Sequence, residues 1–468
     1  MNNIKNQPDL SDQIEQERFD KSIKNHSDRL LAVDVVRGIA IFGVLFIHPM
    51  IYGTWYTEAI ALNIVPMWVL AIFAPIILMG TWGGGFPLIS AVVSTYNIYN
   101  RLEKGYSFQE SVKPTLINST FILILSPIKI FLFGRTWTNS YEDGFNYSVF
   151  SRLIEKGELA WPGPERLFQI GSLPSIAISG YVTVLFLWIL FKNRGREKVK
   201  RNVIILTSIG MILTFISNPL NEWLNPIVID LFLQGGFSRF ISLILRWFIG
   251  AQLSYFPVGI YGFFGIVGGY FIALRTPIKK IKIYGYGIGI FYLIAFVIST
   301  IFTVNYAISI GEDPIFMILD YEIYPRELLF FSLGWMMIIF VFLVKRFEYI
   351  PNDVKVKRAK RTLFFRRFGV ATLTFYCLEP IINNTIAFLF HTIFGPSEGF
   401  GVIDPFMTNG WAIILFVFTF EVFWILFSYF WSKSGYKFGM EYWIVKFSNR
   451  FRKTKSTRLQ LFDYANKQ

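Results

Sequence analysis

Apolar runs of membrane length, separated by short polar loops, set the pattern of the chain. They fall at about 31–52, 80–99, 116–134, 172–191, 203–218, 255–274, 284–304, 327–344, 369–394 and 411–431. Each reaches or approaches the roughly 20 residues that a helix needs to cross a bilayer. Most are apolar all round rather than along one stripe, the mark of a span rather than a surface helix. The pattern predicts an all-α polytopic membrane protein with about ten transmembrane helices. Two further apolar stretches, 60–79 and 226–252, would upset the alternation of loops if each crossed once. They are expected as re-entrant or interfacial segments.

Loop charge gives the expected topology. Residues 192–201 hold six basic side chains against one acidic, 275–282 hold four and none, and 345–367 hold nine against two. By contrast, 304–325 hold four acidic and no basic residues, and 395–409 hold two and none. Basic loops stay on the cytoplasmic side, so both termini are expected there. The organisation read from this is a cytoplasmic tail (1–29), a membrane domain (30–432) and a basic cytoplasmic C-terminal tail (433–468). No internal repeat is evident, which counts against a transporter built from duplicated halves. The segment before residue 29 lacks an early apolar core, so no cleavable signal peptide is expected.

Composition sharpens the class. The 468 residues are 53% hydrophobic and only 16% charged, with a mean hydropathy of +0.47, whereas soluble domains carry about 25% charged residues. The net charge of +14 sits in the loops, so it reports topology rather than nucleic-acid binding. A single cysteine, Cys377, excludes an internal disulfide, and three histidines make a histidine-rich metal site unexpected. No metal is therefore expected.

Candidate chemistry concentrates in the first span, LAVDVVRGIAIFGVLFIHPMIYG, which carries Asp34, Arg37 and His48. Ionisable groups inside hydrocarbon are costly, and a functional site is the default reading. Eleven steps of about 100° bring Arg37 and His48 onto one helix face, roughly 16 Å apart along the axis. Asp34 stands three residues before Arg37, the spacing of a same-face pair, and Gly38 leaves room for a close neighbour. An interface anchor at Asp34–Arg37 and a hydrogen-bonded structural His48 are the plainer readings of each group alone.

Other candidates are more scattered. Glu379 and His391 lie in one span, about 120° apart around the helix, so only one is expected to point where His48 points; both are candidate substrate contacts. Arg246, within SLILRWFIG, has little room to reach water and is a candidate anion contact. Lys129 and Arg239 are expected to snorkel, and Glu421 calls for an unnamed polar partner. The break Trp82-Gly83-Gly84-Gly85-Phe86-Pro87 lies at membrane depth, where irregular backbone must be buried in protein or line a cavity. The long 135–171 segment, with Trp137, Tyr141, Trp161 and an Asn146-Tyr-Ser triplet, reads as an extracytoplasmic loop that is either a lid or a passive packed segment.

These residues resemble the transmembrane acyltransferase superfamily, which includes the heparan-α-glucosaminide N-acetyltransferase family, the integral-membrane sugar O-acyltransferases and YeiB-like proteins. The first-span pattern of Asp, then Arg-Gly and apolar residues stands here as Asp34-Val-Val-Arg37-Gly38-Ile-Ala-Ile. Arg37 and His48 keep the arginine-to-histidine spacing of the O-acyltransferases. Gly369-Val-Ala-Thr-Leu373-Thr374-Phe-Tyr376 and Phe438-Gly439-Met440-Glu441-Tyr442-Trp443 resemble two C-terminal patterns of the YeiB-like proteins, with Val370 in place of an arginine and one proline lacking.

The resemblance implies transfer of an acyl group, commonly acetyl, from acyl-CoA on the cytoplasmic side to an acceptor on the other. The acceptor would be a glycan or lipid-linked hydroxyl or amine. Arg37, oriented by Asp34, would contact the coenzyme, with Arg246 a second anion contact. His48 would act as general base or as nucleophile; an imidazole with an ordinary pKa of about 6.5 suits both. The rival reading is a transporter or flippase for a polar or anionic solute, and a purely structural membrane protein is a third. Membrane lipids are expected partners, nucleic acid is not, self-association is left open, and a prokaryotic plasma membrane is the simplest setting.

Overall fold

The structure is a computed structural model and describes residues 29–53, 66–79, 84–134, 148–168, 171–250, 253–312, 325–394, 409–451 and 459. Among them every regular element is helical. In chain order the helices are α1 (Leu31–Gly53), α2 (Met67–Met79), α3 (Gly85–Glu103), α4 (Phe108–Phe133), α5 (Val149–Lys156), α6 (Ser172–Phe191), α7 (Val199–Leu233) and α8 (Gly236–Leu245). They continue with α9 (Tyr255–Ala273), α10 (Ile278–Ile310), α11 (Arg326–Phe347), α12 (Asn352–Arg361), α13 (Leu363–Val370), α14 (Thr372–Phe394), α15 (Gly410–Lys433) and α16 (Met440–Ser448).

Nine of the described helices are long and apolar enough to cross a bilayer: α1, α4, α6, α7, α9, α10, α11, α14 and α15. They make the chain a multi-pass integral membrane protein and coincide with nine of the ten expected spans. The remaining expected span, 80–99, becomes α3, whose second half carries Asn97, Asn100, Arg101 and Glu103 and is too polar to count with the others. Among the described residues neither additional apolar stretch forms one continuous span. Within 60–79 lies α2, 13 residues long. The stretch 226–252 is divided between the end of the 35-residue α7 and the 10-residue α8, with positive φ at Gly235 and Gly236 making the turn.

Side chains tie the basic loops together at one end of the bundle. Arg196 pairs with Glu103 at 3.2 Å, and the Tyr270 hydroxyl donates to the Arg196 carbonyl. Tyr349 donates to the Thr276 carbonyl at 2.7 Å. At the same end the Ala32 N–H, in the first turn of α1, donates to Glu348 Oε1 at 2.7 Å, while Lys355 donates to Glu348 Oε2 at 2.7 Å. A helix start leaves N–H groups without intrahelical partners, and here a carboxylate from the end of α11 receives one of them.

Two cores divide the molecule. The first gathers α3, α6, α7, α9, α10 and α11 around Val92, Leu187, Leu206, Phe264, Tyr292 and Leu333. Its helices approach through glycine: a Cβ at Gly265 would overlap the Leu88 carbonyl and one at Gly269 the Val92 carbonyl. The second core gathers α1, α2, α13, α14 and α15 around Ile41, Leu45, Phe368, Phe375, Phe416, Phe420 and Trp424, and is built from aromatic rings. Helix α1 serves both, with Val33, next to Leu30 just before the helix, in the first core and Ile41, Leu45 and Ile47 in the second.

Where α1 passes α13, glycine again sets the distance. A Cβ at Gly38 would overlap the Phe365 carbonyl, and one at Gly369 would overlap the Asp34 carbonyl. Since Phe365 faces Gly38 and Gly369 faces Asp34, the two helices run antiparallel. The ring of Phe42 lies 5.5 Å from that of Phe364 and 5.5 Å from that of Phe368. The close approach that Gly38 was expected to permit is thus made by a backbone.

Candidate functional site

His48 lies on the second half of α1, with its side chain 22% exposed, and its Nδ1 is 3.3 Å from Glu379 Oε2 of α14, whose side chain is 1% exposed. Of the polar candidates on α14, Glu379 is thus placed at His48. His391 lies in the last turn of the same helix, and its side chain is outside the described residues. The carboxylate–imidazole contact joins residues that share no sequence neighbourhood; only the packing of α14 on α1 brings them together.

At the start of α1 a different cluster forms. Asp34 is 5% exposed, and its Oδ2 lies 2.5 Å from Nε of Arg29, so the aspartate has a charged partner on its N-terminal side. Arg366 on α13 is 2% exposed and donates from Nη1 to the Ala359 carbonyl at 2.9 Å. Tyr436, 1% exposed, sits among these groups. Burial pushes its phenol up, while Arg367, Arg29 and Arg366 pull it down. Arg29, Arg366 and Arg367 thus lie near enough to Tyr436 for their charges to act on it. Asp34 and Arg37 were singled out from sequence; Arg29, Arg366 and Arg367 were not, hidden among ordinary loop charges.

The two C-terminal motifs meet. Glu441, 1% exposed, accepts the N–H of Leu373, the N–H of Thr374 at 3.3 Å and the Thr374 hydroxyl at 2.6 Å. In return Thr374 Oγ1 accepts the Met440 N–H at 2.7 Å. A carboxylate at a helix N-terminus satisfies its orphan donors and complements the helix dipole, so Glu441 holds the start of the helix that carries Glu379. Within the same turn, Ser172 donates to the Tyr376 hydroxyl at 2.9 Å. The described part of the C-terminal segment is accordingly a packed helix, α16.

The remaining candidates stand apart. Arg246 closes α8, with its guanidinium 4.5 Å from the Phe232 ring centroid, and Arg239 lies 4.4 Å from the same ring. Both follow the 35-residue α7, which starts in the basic loops, so Arg246 lies at the end of the bundle opposite Arg37. One anion cannot be gripped by both. Lys129 does not snorkel: it is 9% exposed, with its ammonium 4.3 Å over the Tyr376 ring. Of the glycine break, Trp82 and Gly83 lie outside the described residues; Gly84 packs against the Tyr261 ring, so that part of the break is buried in protein. In the long loop, Trp137, Tyr141 and Asn146 lie outside the described residues, and Trp161 is exposed against Phe131 at 6.0 Å.

An apolar cleft of about 40 Å³ opens at the edge of the first core, walled by Leu30, Val33 and Val36 at the start of α1, Leu88 and Val92 of α3, Ile272 of α9, and Phe340 and Val344 of α11. It does not include His48 or Glu379. Among the described residues no group of three His, Cys, Asp or Glu side chains is placed to hold a metal ion. No family model, curated protein or solved structure matches the chain.

Proposed function

We propose that this protein is a membrane acyltransferase that moves an acyl group, acetyl in the simplest case, from coenzyme A to a hydroxyl or amine acceptor. The observation that carries the reading is the His48–Glu379 contact inside a membrane bundle. With Nδ1 of the imidazole turned toward a buried carboxylate, Nε2 is the nitrogen that takes the acceptor's proton, and the carboxylate steadies the imidazolium that forms. The acceptor oxygen then bonds to the thioester carbonyl carbon, the carbon–sulfur bond breaks, and the proton passes from His48 to the thiolate. Atoms and charge balance without a further reagent. The arginines around Tyr436, with Arg37, would hold the coenzyme's phosphates at the basic end of the bundle. Coenzyme A would then enter from the cytoplasm and the acceptor from the other side, in keeping with the loop charges.

The test is turnover of acetyl-CoA by the purified protein in nanodiscs, wild type beside His48→Ala. Wild-type turnover that falls by roughly 10²–10⁴-fold in the variant, the range of a lost general base, is the expected result. Absence of coenzyme A binding by the folded wild type would overturn the reading and move it to the transport of a polar or anionic solute.

A further inference from the structure

Where α11 ends and α12 follows, the basic side chains are of two kinds. Lys355 is buried and has a carboxylate of its own, donating to Glu348 Oε2 at 2.7 Å. Arg346, Arg358 and Arg361 differ: among the described residues none of the three lies within salt-bridge distance of an acidic group. Arg358 donates to the Arg346 carbonyl in the last turn of α11, and Arg361 stands three residues further along the same face of α12. Partial burial holds the Arg358 guanidinium below the ordinary arginine range, and the charges of Arg346 and Arg361 push in the same direction. The positive-inside rule explains why cations gather on this side of the membrane. It does not explain guanidinium groups near enough to repel one another with no carboxylate among them.

The apolar cleft at the start of α1 reaches this cluster. Its wall on α11 runs from Met336 to Val344, immediately before Lys345 and Arg346, a depth of about 12 Å at 1.5 Å per residue. Its wall on α1 includes Ala32, which packs with Leu343 of α11 and Ala359 of α12 in one buried cluster. Ala359 directly follows Arg358. The lining is apolar throughout, so water finds no hydrogen-bond partners inside. At about 40 Å³ the cleft is narrow, with room for a few methylene groups. Val36, Ile339 and Phe340 in its wall are partly exposed, so a chain seated there has a way out to the bilayer.

We infer that this end of the bundle is a binding site for an anionic phospholipid of the cytoplasmic leaflet, its phosphate on Arg346, Arg358 and Arg361 and part of one acyl chain in the cleft. A phosphate brings the charge and the acceptor oxygens that planar guanidinium groups take in pairs. An acyl chain brings the atoms that the walls of the cleft lack on one side. Head and chain together join α11 and α12 to the first turns of α1. The site is separate from the His48–Glu379 contact, and it stands whichever reaction that centre performs.

The experiment equilibrates the full chain in detergent with equal amounts of dioleoylphosphatidylglycerol and dioleoylphosphatidylcholine and reads the retained lipid by native mass spectrometry. The wild type is expected to keep phosphatidylglycerol over phosphatidylcholine by at least about tenfold, and Arg346→Gln/Arg358→Gln to lose that preference. Ile339→Phe fills the cleft while leaving the arginines in place, and is expected to lower phosphatidylglycerol retention several-fold. Phosphatidylglycerol is also expected to raise the unfolding temperature of the wild type and not that of the double variant. Equal retention of the two lipids by the wild type overturns the inference. Full retention by Ile339→Phe overturns it too, since only adsorption to a charged surface would remain. Displacement of the lipid by free coenzyme A gives the arginines to the coenzyme and overturns it as well. Should the double variant fail to fold, the exposed Arg361→Gln replaces it. Its preference is expected to fall about fivefold, and an unchanged preference there overturns the inference.

Discussion

The two cores solve the same problem, packing helices in a membrane, in opposite ways. The first brings backbones together with glycine, as in the YGFFGIVGGYFIA of α9 against α3, and satisfies its buried Glu327 with hydroxyls from the neighbouring helix. Without a hydrophobic force between helices in lipid, such close contact and interhelical hydrogen bonds are the main sources of association. The second core packs ring on ring, Phe368 on Phe375 on Trp424, and between the rings it retains His48, Glu379 and Glu421. A scaffold optimised for contact and a core that tolerates polar groups inside an apolar shell are different tasks. The sequence assigns them to different helices, with α1 shared.

That contrast can be broken where it is strictest. Gly38→Val would drive a side chain into the Phe365 carbonyl and Gly265→Val one into Leu88. A backbone cannot rotate away, so each is expected to cost about 3 kcal/mol or more, seen as loss of the folded protein by fluorescence-detected size exclusion. Glu441→Ala strips two backbone donors and a hydroxyl at the start of α14. It is expected to cost about 2–3 kcal/mol and lower the unfolding temperature. Ser299→Ala leaves Glu327 one of its two hydroxyl donors and is expected to cost about 1 kcal/mol in the same assay. Arg152→Ala breaks an exposed pair with Glu158 and should change stability by less than about 0.5 kcal/mol.

The spans were legible because apolar runs and loop charges are local properties. The 80–99 run forms the helix α3, whose Asn97-to-Glu103 end makes it more polar than the nine. The site was legible by halves. His48 announced itself as an ionisable group in hydrocarbon, and Glu379, a candidate from sequence, is found beside it. What stayed hidden joins distant segments: the Ala32–Glu348 cap spans 316 positions and the Leu373–Glu441 cap 68. No local pattern names such partners; tertiary packing does. The separation of Arg246 from Arg37 is of the same kind, set by the length of α7 and the turn after it.

The central claim is that His48 and Glu379 act as one unit, and a double-mutant cycle tests it most directly. Acetyl-CoA turnover would be measured for wild type, His48→Ala, Glu379→Gln and the double variant, each shown to be folded. Glu379→Gln alone is expected to lose at least about tenfold, and the double variant to be no worse than His48→Ala, because a positioning carboxylate has nothing left to position. Losses that multiply in the double variant, or full activity in Glu379→Gln, would contradict the account.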